Sequence, residues 1–338
     1  MTPTPILDGL RTGRAPVEVP GETHAVLVEW DGELVCEYYA ADASVPCGPD
    51  TTHRSWSVAK SVVHAVVGTM LVDPGLPGGR PDLVGPAPVA AWRHDARHGI
   101  TLNHLLDMRS GLEWNEEYAD TAESDVVAML WGAGRHDVAA YATAKPLASP
   151  PGSTWYYSSG TTNIICRILG DALVGDADAP PAVRRAAMET YCAERLFGPV
   201  GMTRTTQRFD AAGTFIGSSF LFASAHDYLR FGRLYADGGM VGGTQVLPPG
   251  WTERARTPTS RGDDPDLDYG SHWWIFNRLP GSLAACGYEG QFVVVVPEER
   301  LVVVRLGRTP VDDDPTVRAW LVDLIGEVVG WRPGTGGD

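Results

Sequence analysis

Two neighbouring runs, FVVVVP at residues 292–297 and LVVVRLG at residues 301–307, constrain this chain more than anything else in it. Runs of β-branched residues favour extended backbone, and Glu298, Glu299 and Arg300 between them supply the polar turn of a hairpin. A second hairpin stands near the other end, where AVLVEW and ELVCEYY flank Asp31-Gly32 over residues 24–39. Between the two hairpins the patterns are mostly helical. Residues 57–71 are rich in Val and Ala, with only Gly68 interrupting before Asp73-Pro74, and predict a buried helix. Residues 100–108 and 162–173 read as further helices, and residues 316–329 as a helix after the last strand. Pro-Gly clusters at 74–79 and 146–152 mark surface turns.

Strands at both ends with helices between them imply a sheet assembled from the two termini. The expected fold class is α/β (α+β): an antiparallel sheet from both termini flanked by helices, plus a mainly helical region. In this reading residues 1–23 are an N-terminal extension, 24–75 and 265–332 form the sheet region, and 76–264 form the inserted helical region. The whole makes one catalytic unit. A chain of 338 residues can bury a sizeable core in that arrangement.

The formal net charge of -15 opposes binding to nucleic acid or to an anionic membrane, because phosphates would be repelled. No stretch approaches the roughly 20 apolar residues of a membrane span, and residues 1–20 lack the apolar segment of a secretory signal. The five cysteines (Cys36, Cys47, Cys166, Cys192 and Cys286) are odd in number and form no CxxC pair. Reduced thiols in a soluble cytoplasmic protein are the expected state. Oligomeric state leaves no trace in the sequence.

The residues that carry chemistry begin with Ser57-Val58-Ala59-Lys60. Three residues apart on a helix, Ser and Lys share a face and their side chains can meet. A serine hydroxyl needs a base, and a lysine serves once burial or a neighbouring cation lowers its pKa. A helix N-terminus adds a free backbone N–H for a developing oxyanion. Of the 27 basic residues only Lys60 and Lys145 are lysine, and arginine effectively never gives up its proton. Tyr157-Ser158-Ser159 follows Pro150-Pro151-Gly152 at a loop-to-helix junction, where a phenol can relay protons if adjacent cations favour its ionised form.

SVAK, then YSS about a hundred residues later, then Gly287-Tyr288-Glu289-Gly290-Gln291 before the apolar hairpin resembles the serine β-lactamase and penicillin-binding-protein superfamily. The likeness is to the class C β-lactamase and esterase branch, and especially to the 6-aminohexanoate-dimer (nylon-oligomer) hydrolases. ITLNHLLDMRSGLEWNEEY, PPGSTWYYSSG and ASAHDYLRFGRLYADGG extend it over residues 25–330. The resemblance implies a β-lactamase/transpeptidase-like fold and two-step acyl transfer without a cofactor or metal. Ser57 would be the nucleophile, Lys60 its base partner and Tyr157 the proton shuttle. The backbone N–H groups of Ser57 and Tyr288 would form the oxyanion hole, with Gly287 letting the strand approach substrate. Ser159 stands where many relatives have asparagine and is expected to position substrate. Tyr118, in the loop after Ser110-Gly111-Leu112, is a candidate for hydrogen bonding to the scissile amide.

One departure narrows the substrate. Relatives that act on β-lactams or peptidoglycan carry Lys-Thr-Gly or His-x-Gly where this chain has Ala285-Cys286-Gly287, without the cation that holds the substrate's carboxylate. A small ester or amide lacking that carboxylate is the expected substrate. An acyltransferase to a metabolite acceptor, a β-lactamase or D-peptidase, and a non-catalytic binding module are the rival readings. Trp273-Trp274 are expected to pack the core in preference to the cleft wall. His94 and His98 have a helical metal-ligand spacing but no third ligand, and His104 reads as a core histidine. No GxSxG elbow and no phosphate-binding loop is present.

Overall fold

In the computed structural model, which describes residues 5–118, 124–261 and 264–330, both apolar hairpins form and join one sheet. Its strands are β1 (Glu22–Trp30), β2 (Glu33–Tyr39), β3 (Ser260–Arg261), β4 (Leu267–Tyr269), β5 (Trp274–Phe276), β6 (Leu283–Gly287), β7 (Gln291–Val296) and β8 (Leu301–Arg308). They lie in the order β2-β1-β8-β7-β6-β5-β4-β3, every adjacent pair antiparallel. The two ends of the chain meet where β1 pairs with β8, with Leu27 opposite Val304 and Val28 opposite Val303.

The uninterrupted apolar runs of β7 and β8 follow from this central position. One face carries Leu27, Val293, Val295, Val302 and Val304 in one core. The alternate residues, Val28, Val294, Val303 and Leu301, belong to a second core on the other face. A strand covered on both faces has no position for a solvated side chain.

Helices α1 (Ile6–Arg11) and α2 (Val58–Val72) precede the helical region, in which α3 (Leu102–Leu106), α4 (Ser159–Val174) and α5 (Ala225–Ala236) matter most here; α6 (Asp314–Gly330) ends the described chain. On one face α2 and α5 pack against the central strands. Gly232 on α5 permits that approach, since a Cβ there would lie 2.4 Å from Val302 Cγ1. The other face is covered by α6, whose Val317, Trp320, Leu321, Leu324, Ile325 and Val328 form a buried stripe at helical spacing. The stretch read as an N-terminal extension contains α1. Leu7 and Leu10 of α1 are buried in the same core, and Glu327 of α6 accepts both its Ile6 and Leu7 N–H groups at 3.0 Å.

His104 is not a core histidine. It is half-buried, and its Nδ1 accepts the Thr101 N–H at 3.3 Å while Thr101 Oγ1 accepts the His104 N–H, a reciprocal cap at the start of α3. His94 and His98 are exposed, and only His98 lies in the short 3-10 turn Ala96–Gly99, so no helix aligns them. No helix among the described residues is long and apolar enough to cross a membrane.

Candidate active site

The chain enters α2 through a strained turn. Trp56 has φ 46°, unusual for a non-glycine residue, and Ser57 follows in helical backbone with φ -69°. The turn leaves Ser57 half-buried at the mouth of the helix and puts Lys60 one turn further in, 2% exposed. Lys60 Nζ lies 2.9 Å from Ser57 Oγ. Among the described residues its other hydrogen-bond partners are Ser159 Oγ at 3.0 Å and the Ser218 carbonyl at 2.9 Å. Burial lowers the ammonium to about 8, although the Glu116 carboxylate works in the opposite direction. Asn163 of α4 secures the carbonyl, because its Oδ1 accepts the Ser218 N–H and its Nδ2 donates to Ser218 Oγ, each at 3.1 Å.

Tyr157 reaches the same point from the loop before α4, its ring 4.9 Å from Lys60 Nζ. It packs on Trp274 at 5.3 Å and on the edge of Tyr269 at 6.0 Å. Burial, then Tyr269 and Glu116, raise the phenol well above its ordinary value, with hydrogen bonding to Ser57 opposing. The resting side chain is therefore a neutral phenol. The cation beside it does not offset the loss of water.

Gly287 ends β6 against the start of α2. A Cβ there would lie 2.4 Å from the Ser55 carbonyl oxygen and 3.3 Å from the Ser57 nitrogen, so only glycine lets the strand come this close. Tyr288, the next residue, stacks on Tyr118 at 4.8 Å and meets Trp56 edge-on at 5.2 Å. Trp56 Nε1 donates to Glu289 at 3.0 Å, and buried Arg305 donates to the Gly290 carbonyl at 2.7 Å. Ring contacts and hydrogen bonds thus hold the tip of the β6–β7 turn from both sides.

Two cavities meet at Tyr157, Trp274 and Tyr288. The larger, about 920 Å³, runs outward past Tyr118, Trp155 and Arg109. The smaller, about 420 Å³, holds Ser57, Cys286 and Gly287. Arg318 also lines the smaller cavity, but Asp264 at 2.6 Å and Asp314 at 3.1 Å flank its guanidinium. Burial raises the Cys286 thiol well above its ordinary value, so it stays protonated.

Ser57, Lys60, Tyr157, Ser159, Gly287, Tyr288 and Tyr118 all gather here. Ser159, expected to face substrate, is fully buried, and its hydroxyl lies between Lys60 and Glu116. The tryptophans divide: Trp273 is fully buried in the core, while Trp274 lines both cavities. Sequence reasoning did not single out Glu116, Trp56 or the Ser218 carbonyl. Only Glu116 left a trace, as an acid within the aromatic loop WNEEY.

The Beta-lactamase family description matches residues 20–327. A 6-aminohexanoate-dimer hydrolase of Paenarthrobacter ureafaciens is 28% identical over 321 residues, covering 88% of this chain and 75% of that protein. Among solved structures, a Bacillus anthracis protein provisionally named a 6-aminohexanoate-dimer hydrolase superposes with a TM-score of 0.76 at 21% identity, over 98% of this chain and 83% of that one. EstCE1, described as a hydrolase with promiscuous acyltransferase activity, has the same fold, with a TM-score of 0.64 at 15% identity over 94% of this chain and 98% of its own. A family match across nine-tenths of the chain and a shared fold lead to one conclusion: this is a serine hydrolase that belongs to the beta-lactamase family.

Proposed function

We propose that the protein cleaves a small ester or amide through an acyl-enzyme on Ser57. The observation that carries this reading is the 2.9 Å contact between Ser57 Oγ and a lysine amine that is buried and lowered to about 8. An amine in that range supplies a free-base fraction near neutral pH and can take a hydroxyl proton. The Ser57 proton passes to Lys60 as Oγ bonds to the substrate carbonyl carbon. The resulting oxyanion is held by the Ser57 and Tyr288 backbone N–H groups. Tyr157 hands a proton to the departing alcohol or amine and takes one in return from the Lys60 ammonium. Water then adds to the acyl-enzyme by the same proton route, giving a carboxylic acid and free Ser57.

The named Paenarthrobacter relative supports an amide as one substrate. Arg318, the cation of the smaller cavity, lies between two carboxylates. Together with Ala285-Cys286-Gly287 this argues for a substrate without the carboxylate of a β-lactam. The test is hydrolysis of p-nitrophenyl butyrate by the wild type and Ser57→Ala, with intact-mass detection of the acyl adduct. Turnover and an adduct, both lost in the variant, are expected. Equal activity in the variant removes Ser57 from its role, and nitrocefin turnover matching ester turnover returns the β-lactamase reading.

A further inference from the structure

The Ser57–Lys60 pair rests on a second layer of polar groups that the proposed reaction does not itself require. Glu116 is half-buried against the start of α4 and accepts three hydrogen bonds. Its Oε2 takes the Ser159 N–H at 2.8 Å and Trp114 Nε1–H at 2.6 Å, and its Oε1 takes the Ser159 hydroxyl at 2.5 Å. Desolvation raises the carboxyl above its ordinary value, and the Lys60 cation and these three donors oppose that rise by favouring the ionised form. A serine hydroxyl has a single proton. Once that proton points at Glu116, Ser159 Oγ can offer Lys60 only lone pairs, 3.0 Å away.

The Ser218 carbonyl is likewise an acceptor and nothing else, 2.9 Å from Nζ. A neutral lysine amine has two hydrogens and one lone pair. Two obligate acceptors take the two hydrogens. The lone pair is left for the third neighbour, Ser57 Oγ. When Lys60 receives the Ser57 proton, that new N–H points back along the same line, and neither of the other bonds has to break.

We infer that Glu116 is a positioning residue which, by binding the Ser159 hydroxyl proton, obliges Ser159 to accept from Lys60 and so aims the lysine lone pair at Ser57. This rests on the reading of Lys60 as the base of the proposed reaction. Glutamine cannot replace the carboxylate here. Turned one way, its NH₂ meets the Ser159 and Trp114 donors. Turned the other way, it donates to Ser159 Oγ and frees that hydroxyl proton to occupy the lysine lone pair.

The experiment is the pH profile of kcat/KM for p-nitrophenyl butyrate in the wild type, Glu116→Gln, Ser159→Ala, the double variant and Lys60→Met, each checked for folding by its thermal melt. In the wild type the rate rises with pH along a limb that reports Lys60 in the free enzyme. The Glu116 charge favours the ammonium, so its removal moves that limb to lower pH by about one unit. The plateau falls about 10- to 100-fold, the usual cost of a lost charged hydrogen bond. Ser159→Ala lowers the plateau by a similar factor. The double variant is within about threefold of Ser159→Ala alone, because Glu116 acts through that hydroxyl.

A fall in rate with the limb unmoved means general structural damage and overturns the inference. So does an additive loss in the double variant, or a Glu116→Gln plateau equal to the wild type. Should Glu116→Gln fail to fold, Ser159→Ala decides alone: a wild-type plateau there overturns the inference. Lys60→Met separates the two levels of argument. If it keeps the wild-type limb, the base lies elsewhere and the proposed mechanism falls with the inference. If it abolishes activity while Glu116→Gln leaves the limb in place, only the inference falls.

Discussion

Two lysines in one chain have opposite fates, and the difference is one of surroundings. Lys145 is partly exposed and paired with the Asp125 carboxylate, beside the Tyr141 ring at 5.1 Å. Among the described residues Lys60 has no carboxylate in direct contact; it touches two hydroxyls and a carbonyl inside the core. The serine-to-lysine spacing and the scarcity of lysine made Lys60 legible in the sequence. The groups that orient it were not, since Ser159 and Ser218 lie 99 and 158 positions away and one of them contributes only a carbonyl. Gly287 offers a test at the same scale. In Gly287→Ala the new Cβ would lie 2.4 Å from backbone, not from a flexible side-chain end that could swing aside. The strand end must retreat, and Tyr288 N–H with it. We expect kcat for p-nitrophenyl butyrate to fall by about 100-fold, as when an oxyanion-hole donor is lost, with KM changed only a few-fold. Steady-state kinetics check this, and an unchanged kcat would remove Tyr288 from the oxyanion hole.

Among the elements, the hairpins and α2 stand close to where periodicity puts them, because a long apolar run has few other uses. Short elements were harder to read. Trp273 and Trp274 look alike as letters, yet β5 begins at the second of them and the two rings go to different places. Trp273 stacks on Phe231 of α5 at 5.8 Å and packs on Tyr235 at 4.4 Å. Trp274 leans on Tyr157 and Tyr269 in the cleft. Trp273→Ala should cost about 3–5 kcal/mol in denaturant unfolding, the usual range for a buried tryptophan. Trp274→Ala should cost less than half of that and raise KM about tenfold instead. If both variants lose the same stability, the division of the pair is wrong. A one-residue shift at the start of β5 would exchange the two roles, and composition and pattern hold no information at that resolution.

At the scale of the molecule, the charge and the two-ended sheet were readable in advance, while the packing of α1 was not. Its six residues are too short to show a period, and the partner that gives them a reason to be helical, Glu327, lies at the far end of the sequence. Deleting residues 1–14 removes Leu7 and Leu10 from the core on the α6 face, a loss of about 1.5–3 kcal/mol for each buried leucine. Chemical denaturation should register that loss while kcat/KM stays at the wild-type value, since α1 packs on β2 and α6, away from the cleft. A drop in kcat/KM larger than the loss of folded protein would contradict that separation.

The pairing of β1 with β8 also has a consequence in time. A ribosome makes β1 early and reaches its partner only after residue 301. At about 5–20 residues per second the wait is roughly 15 to 55 s. Throughout it the nascent β1–β2 hairpin presents an unpaired strand edge, the kind that invites pairing with another chain. Ser57, Lys60 and Tyr157 are all synthesised in that interval, but the turn that completes their site, residues 287–290, arrives near its end. Translation therefore delivers Ser57, the proposed nucleophile, long before Tyr288, the second of the two proposed oxyanion donors. A truncated product from a stalled ribosome would carry Ser57 and Lys60 without the strand end that, in the proposed mechanism, completes their site.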